Sequence, residues 1–254
     1  MRRVVRAPAT PGRPLRFSLA RVPFFLEPDY PRGEAFEETN LERLQRKWGG
    51  AREFEAQKRR HRLKERGRAA GIPHFRAERI ASNTHASHRL VQWVTKRAGT
   101  QVAERLYADL NFRHFEEGKK LNDRRMLAEA AGRAGGGRAG VTEAAALAFL
   151  DSGEGEAEIA AAQRVLQDLG IHSIPTTLVD GQFSIGGALP ADEVEQLFRK
   201  LEAEEEEDGE PVGDAAFAKR FVFAEALGIP PGRLLEELDV LGEDPPPGGA
   251  PTAA

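Results

Sequence analysis

Gly170-Ile-His-Ser-Ile-Pro-Thr-Thr-Leu-Val-Asp-Gly-Gln-Phe-Ser-Ile-Gly-Gly187 is the stretch whose reading decides the fold. Thr177-Leu178-Val179 and Phe183-Ser184-Ile185 alternate in the strand period, and Asp180-Gly181 between them is a pair suited to a tight turn of positive φ. The spacing predicts a β-hairpin. On its N-terminal side Ile159, Ala162, Leu166 and Leu169 recur on one face at helical spacing, and Gly170 is placed to stop that helix. On its C-terminal side Leu189-Pro190 opens a second helix, with Val194, Leu197, Phe198 and Leu201 on its apolar face. The order is therefore helix, Ile174-Pro175, hairpin, helix. Trans is the common state of an X-Pro bond, so the dipeptide alone does not set its isomer.

The chain of 254 residues is 40% hydrophobic, enough to bury a core without cross-links, and its formal charge of −3 gives no overall pull toward polyanions. It contains no cysteine. Structural disulfides, thiolate metal sites and thiol nucleophiles of its own are thereby excluded together. No apolar run reaches the length of a membrane span. The first 26 residues hold six arginines and no acid. Their charge suits an organellar presequence, but a proline-broken pattern with little serine does not, so a cytoplasmic location is the default and an organellar one stays open.

Working outward, Leu15, Phe17 and Leu19 alternate with polar residues and Val22 to Leu26 continues the run, which predicts a strand. Residues 1–16 read as an irregular arm. From Asn40 the pattern is helical, pauses at Gly49-Gly50, and resumes through the basic stretch Lys58 to Arg68. A block of short helices follows over about 83–169, opened by Asn83 or Thr84, Thr100, Asn122, Thr142 and the acids after Gly153. The main domain spans 17–203. Residues 204–213 read as an acidic linker, and 214–254 as a helical tail ending in disorder, with apolar spacing around Phe217-Phe221-Ala224 and Leu234-Leu235-Leu238.

Four pieces carry a resemblance to a known family: R-V-P-F-F-L-E-P from Arg21, S-N-T-H-A-S-H-R-L from Ser82, H-F-E-E-G-K-K-L-N-D-R-R-M-L from His114, and the run from Phe149 through the hairpin to Ala188. In this order they resemble the DsbA-like thioredoxin-fold family, in its FrnE-type branch. The resemblance implies an α/β thioredoxin-like fold with a helical insertion, a cis-proline loop, and thiol-disulfide oxidoreductase ancestry. It also implies that Ser173, Ile174, Pro175 and Thr176 form the substrate-binding loop, which grips an extended peptide or glutathione through the backbone of the residue before the proline.

The family's active site does not carry over. Its first strand and the helix that opens with C-x-x-C are absent, since only about sixteen residues precede Phe17, too few for a strand and a four-turn helix. The resemblance places that strand between the ones matching Phe17 to Phe25 and Thr176 to Val179. Arg2 to Ala7 is the stretch available for a makeshift substitute, and the expectation is a chain start upstream of Met1, that is, a truncated or inactive homologue. Activity is left open, with no catalytic residue, metal ligand or cofactor assigned. Two rivals stand beside this reading. One is a cysteine-free module that binds peptides or docks a protein partner through its tail. The other is a glutathione-using transferase or isomerase relative of the kappa class.

Other candidates are weaker. His85 and His88 lie three apart, and His114 or His172 could join them on a metal, but solvated or hydrogen-bonded histidines are the commoner case. The basic stretch Lys58 to Arg68 is spread around an ideal helix without interleaved aromatics, so no nucleic acid and no membrane is expected. Gly132 to Gly140 lacks the lysine of a phosphate loop.

Overall fold

The structure, a computed structural model, describes residues 1–9, 15–181, 183–207 and 220–239. Eleven α-helices and two small antiparallel sheets are found among them: α1 (Arg2–Arg6), β1 (Glu38–Thr39), α2 (Asn40–Trp48), α3 (Ala51–His61), α4 (Leu63–Ala69), β2 (Ile80–Ala81), α5 (His85–Ala98), α6 (Thr100–Phe115), α7 (Arg124–Gly135), α8 (Glu143–Asp151), α9 (Glu156–Asp168), β3 (Thr176–Val179), β4 (Phe183–Gly186), α10 (Ala191–Glu207) and α11 (Pro231–Leu234). β1 pairs with β2 and β3 with β4. This is a mixed, helix-rich α/β architecture with few strands and a helical insertion. The described residues divide into two compact units: those within Met1–Phe24, within Gln92–Val102 and from Gly155 onward form the first, and Phe25–Val91 with Ala103–Glu154 the second.

Local chemistry sets the helix ends. Thr39 accepts from the Glu42 N–H while Glu42 reaches back to the Thr39 N–H, a reciprocal cap that starts α2. Gly49, in the left-handed region at φ 86°, ends it. α7 starts one residue later than the sequence suggests. Asp123 accepts from the Met126 N–H, whereas the Asn122 amide donates to the carbonyls of Gly33 (3.0 Å) and Phe36 (2.9 Å) and ties down that loop. Thr142 caps α8 as expected.

In the first unit, α9 lays Ala162 and Leu166 against Phe223, Leu227, Ile229 and Leu234 of the segment after 220. Ala20, Val22 and Phe24 from the N-terminal run and Leu178 from β3 complete this core. Leu169, the fourth residue of the helical face, lies at the helix end and is 47% exposed. α1 docks on α10: Val4 is fully buried, Arg3 pairs with Asp192 (2.8 Å) and Glu195 (3.2 Å), and the Ala9 N–H donates to Glu202 (2.8 Å). Arg2–Arg6 is thus helix and not a makeshift strand. α10 itself runs on through Glu207, into the acidic run.

One expectation is corrected here. Leu15 to Phe25 is not a β-strand: it runs without regular structure and pairs with no strand among the described residues. Alternation gives a strand only where a neighbour accepts its ladder. Here single contacts replace the ladder. The Gln92 amide donates to the Arg21 carbonyl (2.6 Å), the Gln163 amide to that of Pro23 (2.8 Å), and the Leu238 N–H to that of Phe17 (2.6 Å). Phe17 also sets its ring edge-on against Phe198, centroids 5.0 Å apart.

In the second unit α7 and α8 pack against each other as a helical hairpin. Arg89, 5% exposed, lays its guanidinium 5.0 Å from the centre of the Phe149 ring and donates to the carbonyls of Ser152 (2.7 Å) and Glu154 (2.6 Å) just beyond α8. The buried guanidinium thereby satisfies carbonyls of the turn between α8 and α9.

Candidate functional site

Ser173, Ile174, Pro175 and Thr176 lie together at the entry to β3 in the first unit, and the Ile174–Pro175 peptide bond is cis. The loop is held at both ends. The Thr176 hydroxyl donates to the Ser173 carbonyl (2.7 Å), and the Gly187 N–H donates to the Pro175 carbonyl (2.8 Å), extending the register in which Thr176 faces Gly186. Between these anchors Ile174 is 48% exposed, and its N–H and C=O make no hydrogen bond among the described residues. A free donor and a free acceptor on one residue, in line with a strand, can pair with an extended chain.

The hairpin behind the loop is fixed at its turn. Asp180 and Gly181 both have positive φ, 56° and 68°, as the sequence pair predicts. The Asp180 carboxylate accepts from Arg220 (2.6 Å), and a Cβ on Gly181 would come within 2.5 Å of the Arg220 carbonyl oxygen. Arg220 lies 40 residues from Asp180, and no spacing in the sequence announces the contact.

The histidines do not gather. His85 and His88 flank the Phe25 ring, one stacked at 5.6 Å between centroids and the other edge-on at 5.3 Å. His172 is exposed beside the proline loop, and no group of three metal-ligating side chains occurs among the described residues. His114 belongs to a different cluster. Its Nε2 accepts from Arg79 Nε (3.0 Å), which leaves Nδ1–H to donate to the Lys119 carbonyl (2.9 Å). Arg79 lies against the stacked pair Phe75 and Phe115, 5.3 and 4.9 Å from their ring centres. Burial, with Arg43 nearby, lowers its pKa to about 10.

Burial and the adjacent Arg79 hold the His114 imidazole neutral, its pKa lowered from 6.5 to about 4. As pH falls, the unfolded chain therefore takes up this proton first. The stability that depends on neutral His114 is complete above about pH 6.5 and is lost as pH falls toward 4. Urea titrations at pH 7 and pH 5 are expected to differ by about 2 kcal/mol from this group, and His114→Gln, which keeps an acceptor for Arg79, removes that share. An unchanged pH dependence in the variant would refute the assignment.

Spacing also misses a polar cluster in the second unit. The Tyr30 hydroxyl donates to Glu38, and Arg46 donates to both Tyr30 (3.0 Å) and Glu38 (3.0 Å), beside an open groove of about 910 Å3. Burial and the neighbouring carboxylate raise the Tyr30 pKa to about 12, and the Arg46 bond lowers that of Glu38.

The DSBA-like thioredoxin domain matches residues 17–202. No curated protein matches the chain. Among solved structures it is similar to a probable DsbA oxidoreductase from Streptomyces coelicolor, with 22% identity over 76% of each chain and a TM-score of 0.60, a likeness of fold. None of the helices described is long and apolar enough to cross a membrane. The match takes in α2 to α9, the proline loop with its hairpin and most of α10, and on that extent the chain belongs to the DSBA-like thioredoxin domain family.

Proposed function

We propose that this is a FrnE-type member of the family that holds an extended peptide at Ser173, Ile174, Pro175 and Thr176, and that within Met1–Ala254 the grip is present while the thiol is not. The observation that carries the proposal is Ile174, exposed, with both backbone groups unused among the described residues, between two hydrogen-bonded anchors. The four ordered pieces of sequence support the branch. In the family's chemistry a thiolate attacks a substrate disulfide and a second thiol resolves the mixed disulfide. With no cysteine in the chain, its own side chains supply neither group. What remains for them is positioning: backbone pairing at Ile174, with affinity from main-chain bonds and selectivity from neighbouring side chains.

Calorimetric titration with an extended peptide, with the same peptide N-methylated at alternate amides, and with glutathione tests this. The plain peptide is expected to bind and the N-methylated one to bind about tenfold more weakly, the effect of roughly one lost backbone hydrogen bond. Equal binding of the two peptides overturns strand pairing. Binding of glutathione with none of peptide would favour the kappa-class reading.

A further inference from the structure

Between Arg46 and Arg68 the chain carries ten basic side chains against three acids, in a protein of formal charge −3. Read as one helix, these charges point in all directions. The structure breaks the helix: α3 ends at His61, Arg62 takes a left-handed conformation at φ 46° and ψ 47°, and α4 starts at Leu63. Each arm of this elbow has one buried side. On α3 it is Phe54, with the Trp48 ring stacked at 5.9 Å from it and at 6.2 Å from His61. On α4 it is Gly67, where a Cβ would lie 3.2 Å from Phe75.

The remaining sides carry the charge. Lys58 pairs with Glu55 (3.4 Å) and Lys64 with Glu78 (3.8 Å). Arg59, Arg60, Arg62, Arg66 and Arg68 are exposed and have no ion pair among the described residues. Five unpaired guanidinium groups fall between Arg59 and Arg68, about 14 Å of chain at 1.5 Å per residue, with the bend at Arg62 among them. That is a compact, high-density positive array.

We infer that the α3–α4 elbow is a docking surface for the phosphate backbone of nucleic acid, read by charge and not by base. This departs from the expectation drawn from sequence, that the stretch takes up no nucleic acid. Guanidinium forks match phosphate oxygens in pairs, and a strand of nucleic acid is the polyanion whose phosphates are regularly spaced along a line. A lipid surface fits less well. Leu63 is the single large apolar side chain exposed on the elbow, 44% accessible, so an apolar face to enter a bilayer is missing. The surface lies wholly within the second unit and does not involve the proline loop.

Fluorescence anisotropy of the full chain with a labelled twenty-nucleotide oligo-uridylate tests the inference. Binding is expected at about 50 mM salt, weakening with a log–log salt slope of about −3.5 for five phosphates on a single strand. Replacing Arg59, Arg60, Arg66 and Arg68 by glutamine, with Arg62 kept for its backbone conformation, is expected to weaken binding by about thirtyfold or more and flatten the slope. The control Arg125→Gln with Arg138→Gln, two exposed cations elsewhere in the unit, is expected to bind as the parent does. Circular dichroism confirms that each variant is folded. No oligonucleotide binding by the parent overturns the inference. So does equal binding by the fourfold variant, or capture of polyglutamate or of phosphatidylserine vesicles in preference to the oligonucleotide.

Discussion

Replacing Leu227 and Leu234 together by alanine is expected to lower the unfolding free energy by about 4 kcal/mol or more. Both side chains are fully buried, in one cluster with Ala162 and Leu166 of α9. A buried leucine shortened to alanine costs about 2–5 kcal/mol through lost transfer energy and the cavity left behind, and neighbours do not add exactly. Against a typical domain stability of about 5–15 kcal/mol, the loss is a large share of the total. Trp93 lies in that unit and reports the transition by its fluorescence in a urea titration. Leu41→Ala with Leu63→Ala, at sites 39% and 44% exposed, is the control and is expected to shift stability by about 0.5 kcal/mol or less per site. If the double variant unfolds at the parent's midpoint, residues 220–239 contribute nothing to that core.

In the second unit, Gly135→Val is expected to cost about 3 kcal/mol and to lower the melting temperature by about 6–12 °C. A Cβ at Gly135, the last residue of α7, would stand 2.6 Å from both a side-chain methyl and the carbonyl oxygen of Val141. Val141 is itself fully buried, so it has little room to yield. The close approach of α7 to the start of α8 depends on the absence of a side chain there. A circular-dichroism melt decides the matter: a shift of about 1 °C or less would mean that the hairpin relaxes freely around the new side chain.

Both positions show what could be read from the sequence and what could not. Thr142 as a cap, the pause at Gly49-Gly50 and the Asp180-Gly181 turn are legible because each is settled by the few residues around it. The proline loop is a different case: local spacing says only that Ile174-Pro175 precedes a hairpin, and it is the family resemblance that picks out Ser173 to Thr176. Leu15 to Phe25 misleads because its alternation is lawful but a strand is made by its neighbour. The apolar spacing at Leu234 is visible, yet its burial against α9 is not, since that depends on residues some seventy positions away. Arg79 meeting His114, and Arg220 meeting Asp180, join residues 35 and 40 positions apart, and neither pair shares a motif. The break at Arg62 is hidden too, because nothing about an arginine among arginines marks a left-handed backbone.

The three single contacts that hold Arg21, Pro23 and Phe17 carry a consequence for time as well as for structure. A ladder protects the amide protons on both strands, because they are released only when several bonds open together. Two glutamine side chains and one backbone N–H bond only carbonyls of the run, so these three bonds protect none of its own N–H groups. In deuterated buffer the amides of Phe17 to Ala20, Val22 and Phe24 would exchange on the timescale of a surface loop, although Val22 and Phe24 lean on the core, while α5 and α9, which supply the two glutamines, would keep theirs far longer.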